Sequence, residues 1–277
     1  MLNHFFRWSL DDTIERNDRI DALKDKLGYY KELLLVITKK EIKVRYKNSY
    51  FGYLWSILNP LGFALVFYFV FKIVMRVEMK DYALFLVVGL FPWQWIANTT
   101  AASTVVYVSN ASIIKKVNFP RSILPLATAM QDMFHFCCAI PIIILFLLIY
   151  SKQPSTLWFF GVPLLLLIQL TMVYGIALSL SSVNLFFRDL EQIIPIFLNF
   201  MFYPTPILYP IKLIPENLQH LVYFNPFAPI ILSWRSLLFR GELDFFLIAM
   251  SAGYALSILA IGVLIYQKTK YRFAEVL

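Results

Sequence analysis

The sequence predicts an all-α polytopic membrane protein with six transmembrane helices. Of its 277 residues, 60% are hydrophobic and 15% are charged, and the mean hydropathy is +0.67, a composition that soluble domains of this length do not have. The stretch from Arg188 to Pro210 carries no charged residue after Glu191, and the next charge in the chain is Lys212. Since about 18 to 20 apolar residues at roughly 1.5 Å each cross a hydrocarbon core of about 30 Å, this stretch predicts a transmembrane helix.

Residues 1–50 are charged and are predicted to stay outside the bilayer, while residues 51–277 form the transmembrane domain. Acidic residues interrupt the first sixteen positions, so we expect no cleavable signal peptide. Between Leu23 and Tyr46, apolar side chains recur every three or four residues, and bases follow from Lys39 onward. This pattern is typical of an amphipathic helix in the membrane interface beside anionic lipids, with a solvated helix as the alternative.

Four long, predominantly apolar runs before Arg188 predict the first four spans. They extend from about Trp55 to Met75, from about Ala83 to Val108, from about Ile123 to Tyr150, and within Leu157 to Phe187. Pro60 predicts a kink early in the first span, and Pro92 predicts that the second is tilted or broken.

The segment after the Arg188 to Pro210 stretch, which is the fifth span, is divided by prolines into apolar pieces of ten residues or fewer. Such pieces are too short to cross the bilayer and predict re-entrant or short extracytoplasmic helices between spans five and six. The sixth span follows from about Phe245 to Gln267, and a basic tail ends the chain.

Lysine and arginine are distributed unequally over the two predicted sides. Eighteen lie on the side that holds both termini and seven on the other, which predicts that both termini are cytoplasmic. The net charge of +8 then reflects topology, and we expect no nucleic-acid partner.

Asp132 is the one acidic residue inside a predicted span, and His135 lies one helical turn later. Ionisable residues within the membrane are candidates for function, so a gating or substrate role is one interpretation. A structural pair between the two side chains is the other.

The sequence contains no phosphate-binding loop, no metal-ligand spacing and no hydrolase triad. We therefore expect no enzymatic activity and no cofactor in this chain, and energy for any transport must come from a partner or a gradient. Aromatic residues make up 17% of the chain. They form an interfacial belt and core contacts in one interpretation, and line a conduit for sugar rings in the other.

Three segments together resemble the permease subunit of ABC-type polysaccharide exporters. Residues 45–60, RYKNSYFGYLWSILNP, are similar to the pattern before the family's first span, and residues 118–125, NFPRSILP, to its cytoplasmic loop. The third is the fifth span with its TPILYP ending, followed by NPFAPI and Arg235. Two residues depart from the family pattern: Phe51 stands where the family usually has Leu, and Ser122 stands where it often has Glu. Without that Glu, the loop lacks the carboxylate for an ion pair to an ATPase.

The resemblance implies a homodimer in the bacterial inner membrane, with two cytoplasmic ATPase subunits that bind ATP and magnesium. Its substrate would be a lipid-linked polysaccharide, O-antigen in the first place, with capsule or teichoic acid as the alternative. A gradient-driven carrier or channel and a membrane-embedded glycan enzyme are the competing classes. A carrier should show paired repeats with broken helices and an enzyme more buried acids or arginines, and we find neither.

Two sets of site residues follow from this resemblance. The glycan path is predicted at aromatic residues of spans one, two and five: Trp55, Trp93, Trp95, Phe200 and Tyr203. Coupling to the ATPase is predicted in the segments expected on the cytoplasmic side, with Phe119 exposed for docking: Arg45, Lys115, Lys116, Phe119, Pro120, Arg121, Arg188 and Asp189.

Overall fold

The computed structural model describes residues 28–45, 47, 49–76 and 78–273, and every regular element within these ranges is a helix. The predicted segment before residue 28 and the tail residues 274–277 lie outside the described residues. In chain order the helices are α1 (28–45), α2 (Trp55–Tyr68), α3 (Tyr82–Thr104), α4 (Val106–Ser109), α5 (Ala111–Lys116), α6 (Ile123–Ile149), α7 (Trp158–Asn184), α8 (Leu190–Phe202), α9 (Phe227–Arg235) and α10 (Phe245–Thr269).

Four helices are long and apolar enough to cross a membrane. These are α2 with its π-helical continuation (Ile57–Val74), α6, α7, and α10 with its last turn (Phe245–Arg272). Helix α3 has 23 residues, but threonine, glutamine and asparagine interrupt its apolar character. The chain is thus an all-helical membrane protein, as its composition predicts.

Proline does not break the second predicted span. Helix α3 continues through Pro92, and the side chain of Gln169 on α7 donates a hydrogen bond of 2.9 Å to the Pro92 carbonyl. The indole of Trp234 on α9 donates to the same glutamine. Helices α3, α7 and α9 therefore meet at the proline.

Helix α8 is shorter than the fifth predicted span because it ends at Phe202. Its 13 residues reach about 20 Å at roughly 1.5 Å each, which is less than the hydrocarbon core. Turns follow from Tyr203 to Tyr209, since Pro204, Pro206 and Pro210 cannot donate backbone hydrogen bonds.

A single buried arginine holds this turn segment in place. The guanidinium of Arg235 donates hydrogen bonds of 2.6 and 2.9 Å to the carbonyls of Pro206 and Ile207, and it lies 3.6 Å from the centroid of the Phe85 ring. Gly89 leaves the space for it, because a Cβ there would lie 2.6 Å from Nη2. Arginine stays protonated in proteins, so both carbonyls accept from a charged donor.

Helix α3 is the centre of the molecule. Of its 23 residues, 17 are buried, and it contacts α2, α6, α7, α8 and α9. The main core surrounds this helix. Large buried side chains such as Trp95 and Trp234 fill it.

A second, smaller core joins segments that the sequence assigns to the cytoplasmic side. Its buried members come from α1, from residues 106–127, from the end of α7 and from the C-terminal turn: Ile37, Val106, Tyr107, Ile114, Phe119, Ile123, Leu124, Ala127, Leu185 and Phe273. Tyr30, Leu34 and Ile37, three residues of the predicted apolar face of α1, contact this cluster.

The turn between α1 and α2 requires glycine, because Gly52 has a φ of +48°. At the opposite end of the molecule, Lys152 forms an ion pair of 3.0 Å with Asp81, and the Trp158 indole donates to the Leu237 carbonyl. These contacts join segments that the sequence assigns to the outer side.

Helices α7 and α10 approach each other closely at two glycines. A Cβ on Gly262 would overlap the carbonyl of Gly175, and a Cβ on Gly175 would lie 2.6 Å from the backbone of Leu259. The sequence has small residues four positions apart on both helices, Gly175 with Ser179 and Gly253 with Ser257, and only the pair that contains Gly175 lies at this crossing. Gly253 on α10 has open space around it.

We predict that Gly262→Ala destabilises the protein by about 1 to 3 kcal/mol, because the new methyl group forces the two helices apart. Gly253→Ala is the matched control on the same helix and should be neutral or slightly stabilising. The measurement is thermal unfolding of the purified protein in detergent, followed by tryptophan fluorescence. Equal unfolding temperatures for the two variants would contradict the close crossing.

We also predict that Arg235→Met destabilises the protein by about 2 to 5 kcal/mol, because two buried carbonyls lose their charged donor. Arg240→Met changes an exposed arginine five residues later and should cost less than about 0.5 kcal/mol. Limited proteolysis should then cut the Tyr203 to Tyr209 segment faster in the Arg235 variant alone. Unchanged stability and cleavage in that variant would show that other contacts hold the segment.

Candidate functional site

The candidate site is a cleft between the end of α1 and helices α2, α3 and α6. Its volume is about 460 Å³, which falls within the size range of ligand sites. The described residues that line it are Arg45, Ser49, Trp55, Asn59, Pro60, Phe63, Phe91, Gln94, Trp95, Asn98, Asp132, His135 and Phe136. About half of these lining residues are polar, although most of them belong to helices of the transmembrane domain.

An ion pair between Arg45 and Asp132 closes one side of the cleft. The Asp132 side chain is 2% exposed and also accepts a hydrogen bond of 2.9 Å from the Thr99 hydroxyl, whereas Arg45 is 35% exposed. The sequence suggests His135 as the partner of Asp132; the structure adds Arg45 and Thr99, and His135 lines the same cleft. The pair joins α1 to α6 across 87 positions of sequence.

Three amide side chains face the same space. Asn59 comes from α2, and Gln94 and Asn98 come from α3, where a spacing of four brings them to one face. On α2, Trp55 and Asn59 have the same spacing. Sequence reasoning missed Asn59, Gln94, Asn98 and Thr99, although polar residues at intervals of four within an uncharged run are a usable signal.

Of the five residues predicted for the glycan path, two lie in the cleft. Trp55 is 41% exposed at its edge, and Trp95 is buried in its wall, where the indole donates to the Ala129 carbonyl at 3.2 Å. Trp93 is buried between the rings of Phe202 and Phe227, and Phe200 and Tyr203 are exposed at the end of α8. The structure does not bring all five together within one chain, so the path past the last three stays a prediction.

Of the residues predicted for ATPase coupling, Arg45 lies in the cleft, Phe119 and Arg121 lie at the second core, and one expectation about the set is wrong. Phe119 is 8% exposed, because it is buried against the apolar cluster that includes Ile37 and Phe273. It is therefore an internal anchor of its loop and cannot insert into a partner's groove without leaving this core. The large apolar side chains exposed in these segments are instead Val117, Phe186 and Phe187.

The other basic residues of the coupling set differ in how exposed their side chains are. Lys115, Lys116, Arg188 and the neighbouring Asp189 are exposed. Arg121, which follows Pro120, is half-buried: it donates to the Lys270 carbonyl at 3.3 Å and lies 5.7 Å from the Phe273 ring centroid. Arg121 thus ties the loop to the C-terminal turn.

Comparison with known proteins identifies the family. The family model described as ABC-2 type transporter matches residues 32–239. The chain is 49% identical to the O-antigen export system permease protein RfbA of Klebsiella pneumoniae over 257 residues, which cover 92% of this chain and 98% of that protein. It is 29% identical to the protein of the same name from Myxococcus xanthus, over 79% of this chain and 84% of that one.

A more distant relative is the polysialic acid transport protein KpsM of Escherichia coli, 22% identical over 82% of this chain and 86% of that protein. The family model covers well over half of the described helices, from α1 to the end of the π-helical turn after α9. The chain therefore belongs to the ABC-2 type transporter membrane family.

Proposed function

We propose that this chain is the transmembrane subunit of an ATP-driven exporter that moves a lipid-linked polysaccharide, in the first place O-antigen, across the bacterial inner membrane. The observation that carries the proposal is the similarity to O-antigen export permeases along nearly the whole chain. The more distant relative is named for the transport of polysialic acid, which is also a polysaccharide, and this supports capsule export as the second candidate.

The energy source in this proposal is a separate ATPase subunit, since the sequence has no phosphate-binding loop. ATP and magnesium would bind to that subunit, and two copies of it would serve a dimer of this chain. The exposed bases Lys115, Lys116 and Arg188, with Phe186 and Phe187 beside them, offer a mixed basic and apolar surface for its docking.

Deletion of the gene in its native host tests the proposal. We expect surface polysaccharide to disappear and lipid-linked polysaccharide to accumulate inside the cell, with both effects reversed by the wild-type gene. Mass spectrometry of the tagged, purified protein should recover an ATPase subunit. A deletion strain with normal surface polysaccharide would contradict the proposed function.

The topology that we propose has six spans, both termini in the cytoplasm, and the segment from Pro210 to Phe224 outside. Helix α3 would serve as the second span. Helix α8 with the turns that follow it would be the fifth span. Non-helical backbone at membrane depth requires protein around it, and α3 and α9 supply part of this protein. The eighteen to seven distribution of Lys and Arg supports this orientation.

Single cysteines test the orientation after Cys137 and Cys138 are replaced. Asn217→Cys and Lys268→Cys are a matched pair, because both side chains are exposed and lie in segments assigned to opposite sides. We expect a membrane-impermeant thiol reagent to label Asn217→Cys in intact cells, and Lys268→Cys only after the cells are opened. The reverse pattern would overturn the orientation.

A further inference from the structure

Three amide side chains are open to the cleft and available to a ligand. Asn59 is exposed, Gln94 and Asn98 are half-buried, and none of the three hydrogen-bonds another group in the described part of the chain. Each amide offers two donor hydrogens and an acceptor oxygen. Because leucine or methionine fills the same volume of a membrane helix at a lower transfer cost, packing alone does not explain three amides at one place.

The charge in the cleft favours a neutral ligand. Among the described lining residues, Arg45 is the one arginine or lysine, and its guanidinium already pairs with the Asp132 carboxylate. An anion that approached Arg45 would meet Asp132 at the same point. The cleft therefore presents hydrogen-bonding groups without an excess of positive charge.

Aromatic rings complete the site at its open edge. Trp55 and Phe63 are about half exposed, and both come from the helix that supplies Asn59. An aromatic face contacts the apolar C–H face of a sugar ring, while amides and carboxylates bind its hydroxyl groups. A neutral ring with several hydroxyl groups matches both parts of this wall.

We propose that the cleft is a recognition site for a sugar residue of the exported polysaccharide, with Gln94, Asn98 and Asn59 as hydroxyl ligands and Trp55 as the ring platform. This inference rests on the proposed function and adds a specificity-determining site to it. The site shares Trp55 and Trp95 with the predicted aromatic path, and its polar side chains add selection of the sugar. With α1 at the cytoplasmic side, the cleft lies where the substrate would first enter.

The test measures binding to the full-length chain in lipid nanodiscs. The probe is a short oligosaccharide released by mild acid from the surface polysaccharide of the native host, and saturation-transfer NMR gives its Kd. We expect Gln94→Met and Asn98→Leu each to raise this Kd about fivefold, the effect of one net hydrogen bond. Gln267→Met, at an exposed glutamine of α10 outside the cleft, is the matched control and should bind as the wild type does.

Inorganic pyrophosphate is the second probe, because a lipid-linked glycan also carries phosphate. We expect it not to displace the oligosaccharide; displacement would overturn the proposal in favour of an anion site at Arg45. Wild-type affinity in both cleft variants, or no oligosaccharide binding to the wild-type chain, would also overturn it. If Gln94→Met lowers the unfolding temperature, Asn59→Leu at the more exposed rim replaces it with the same expectation.

The deletion strain separates this inference from the proposed function. If the deletion abolishes surface polysaccharide while cleft variants bind the oligosaccharide normally, the recognition site is wrong and the export function stands. If surface polysaccharide persists without the gene, the export function is wrong, and the recognition site that rests on it is overturned as well.

Discussion

The outer part of this fold depends on the buried guanidinium of Arg235. Between Tyr203 and Tyr209 the backbone is not helical, so its carbonyls need donors from elsewhere in surroundings that offer little water. Arg235 supplies two of these bonds, and the Tyr82 hydroxyl supplies a third to the Leu208 carbonyl at 2.9 Å. These donors come from α9 and α3, and the turns that accept them follow directly on α8. One set of hydrogen bonds therefore fixes the positions of these three helices relative to one another.

Local features of the sequence were sufficient to find the helices. Apolar runs of about 20 residues predict membrane helices from length and transfer energy alone, and α2, α6, α7 and α10 lie where those runs are. The predicted apolar face of α1 is confirmed for Tyr30, Leu34 and Ile37, which follow helical spacing and pack in the second core. These predictions succeed because each depends on residues that are neighbours along the chain.

Contacts between distant segments were not available from the sequence. Phe119 looks like an exposed docking residue in a short basic loop, and its burial depends on apolar partners as far away as Ile37 and Phe273. Asp132 has an adjacent candidate in His135, yet Arg45 also reaches it from 87 positions away. The early end of α8 was missed because an apolar run does not reveal where tertiary hydrogen bonds can support turns.

The two walls of the cleft differ in how deeply they are buried. Helix α3 is buried over most of its length and packs against α2, α6, α7, α8 and α9, whereas only 11% of the α2 span is buried within the chain. A displacement of α3 would therefore disrupt the main core. The Arg45–Asp132 pair joins the end of α1 to α6, and Ile37, two turns earlier on α1, is buried in the second core. Helix α1 thus links the second core to the wall that α6 supplies, and a change in its position would act on the cleft at Asp132.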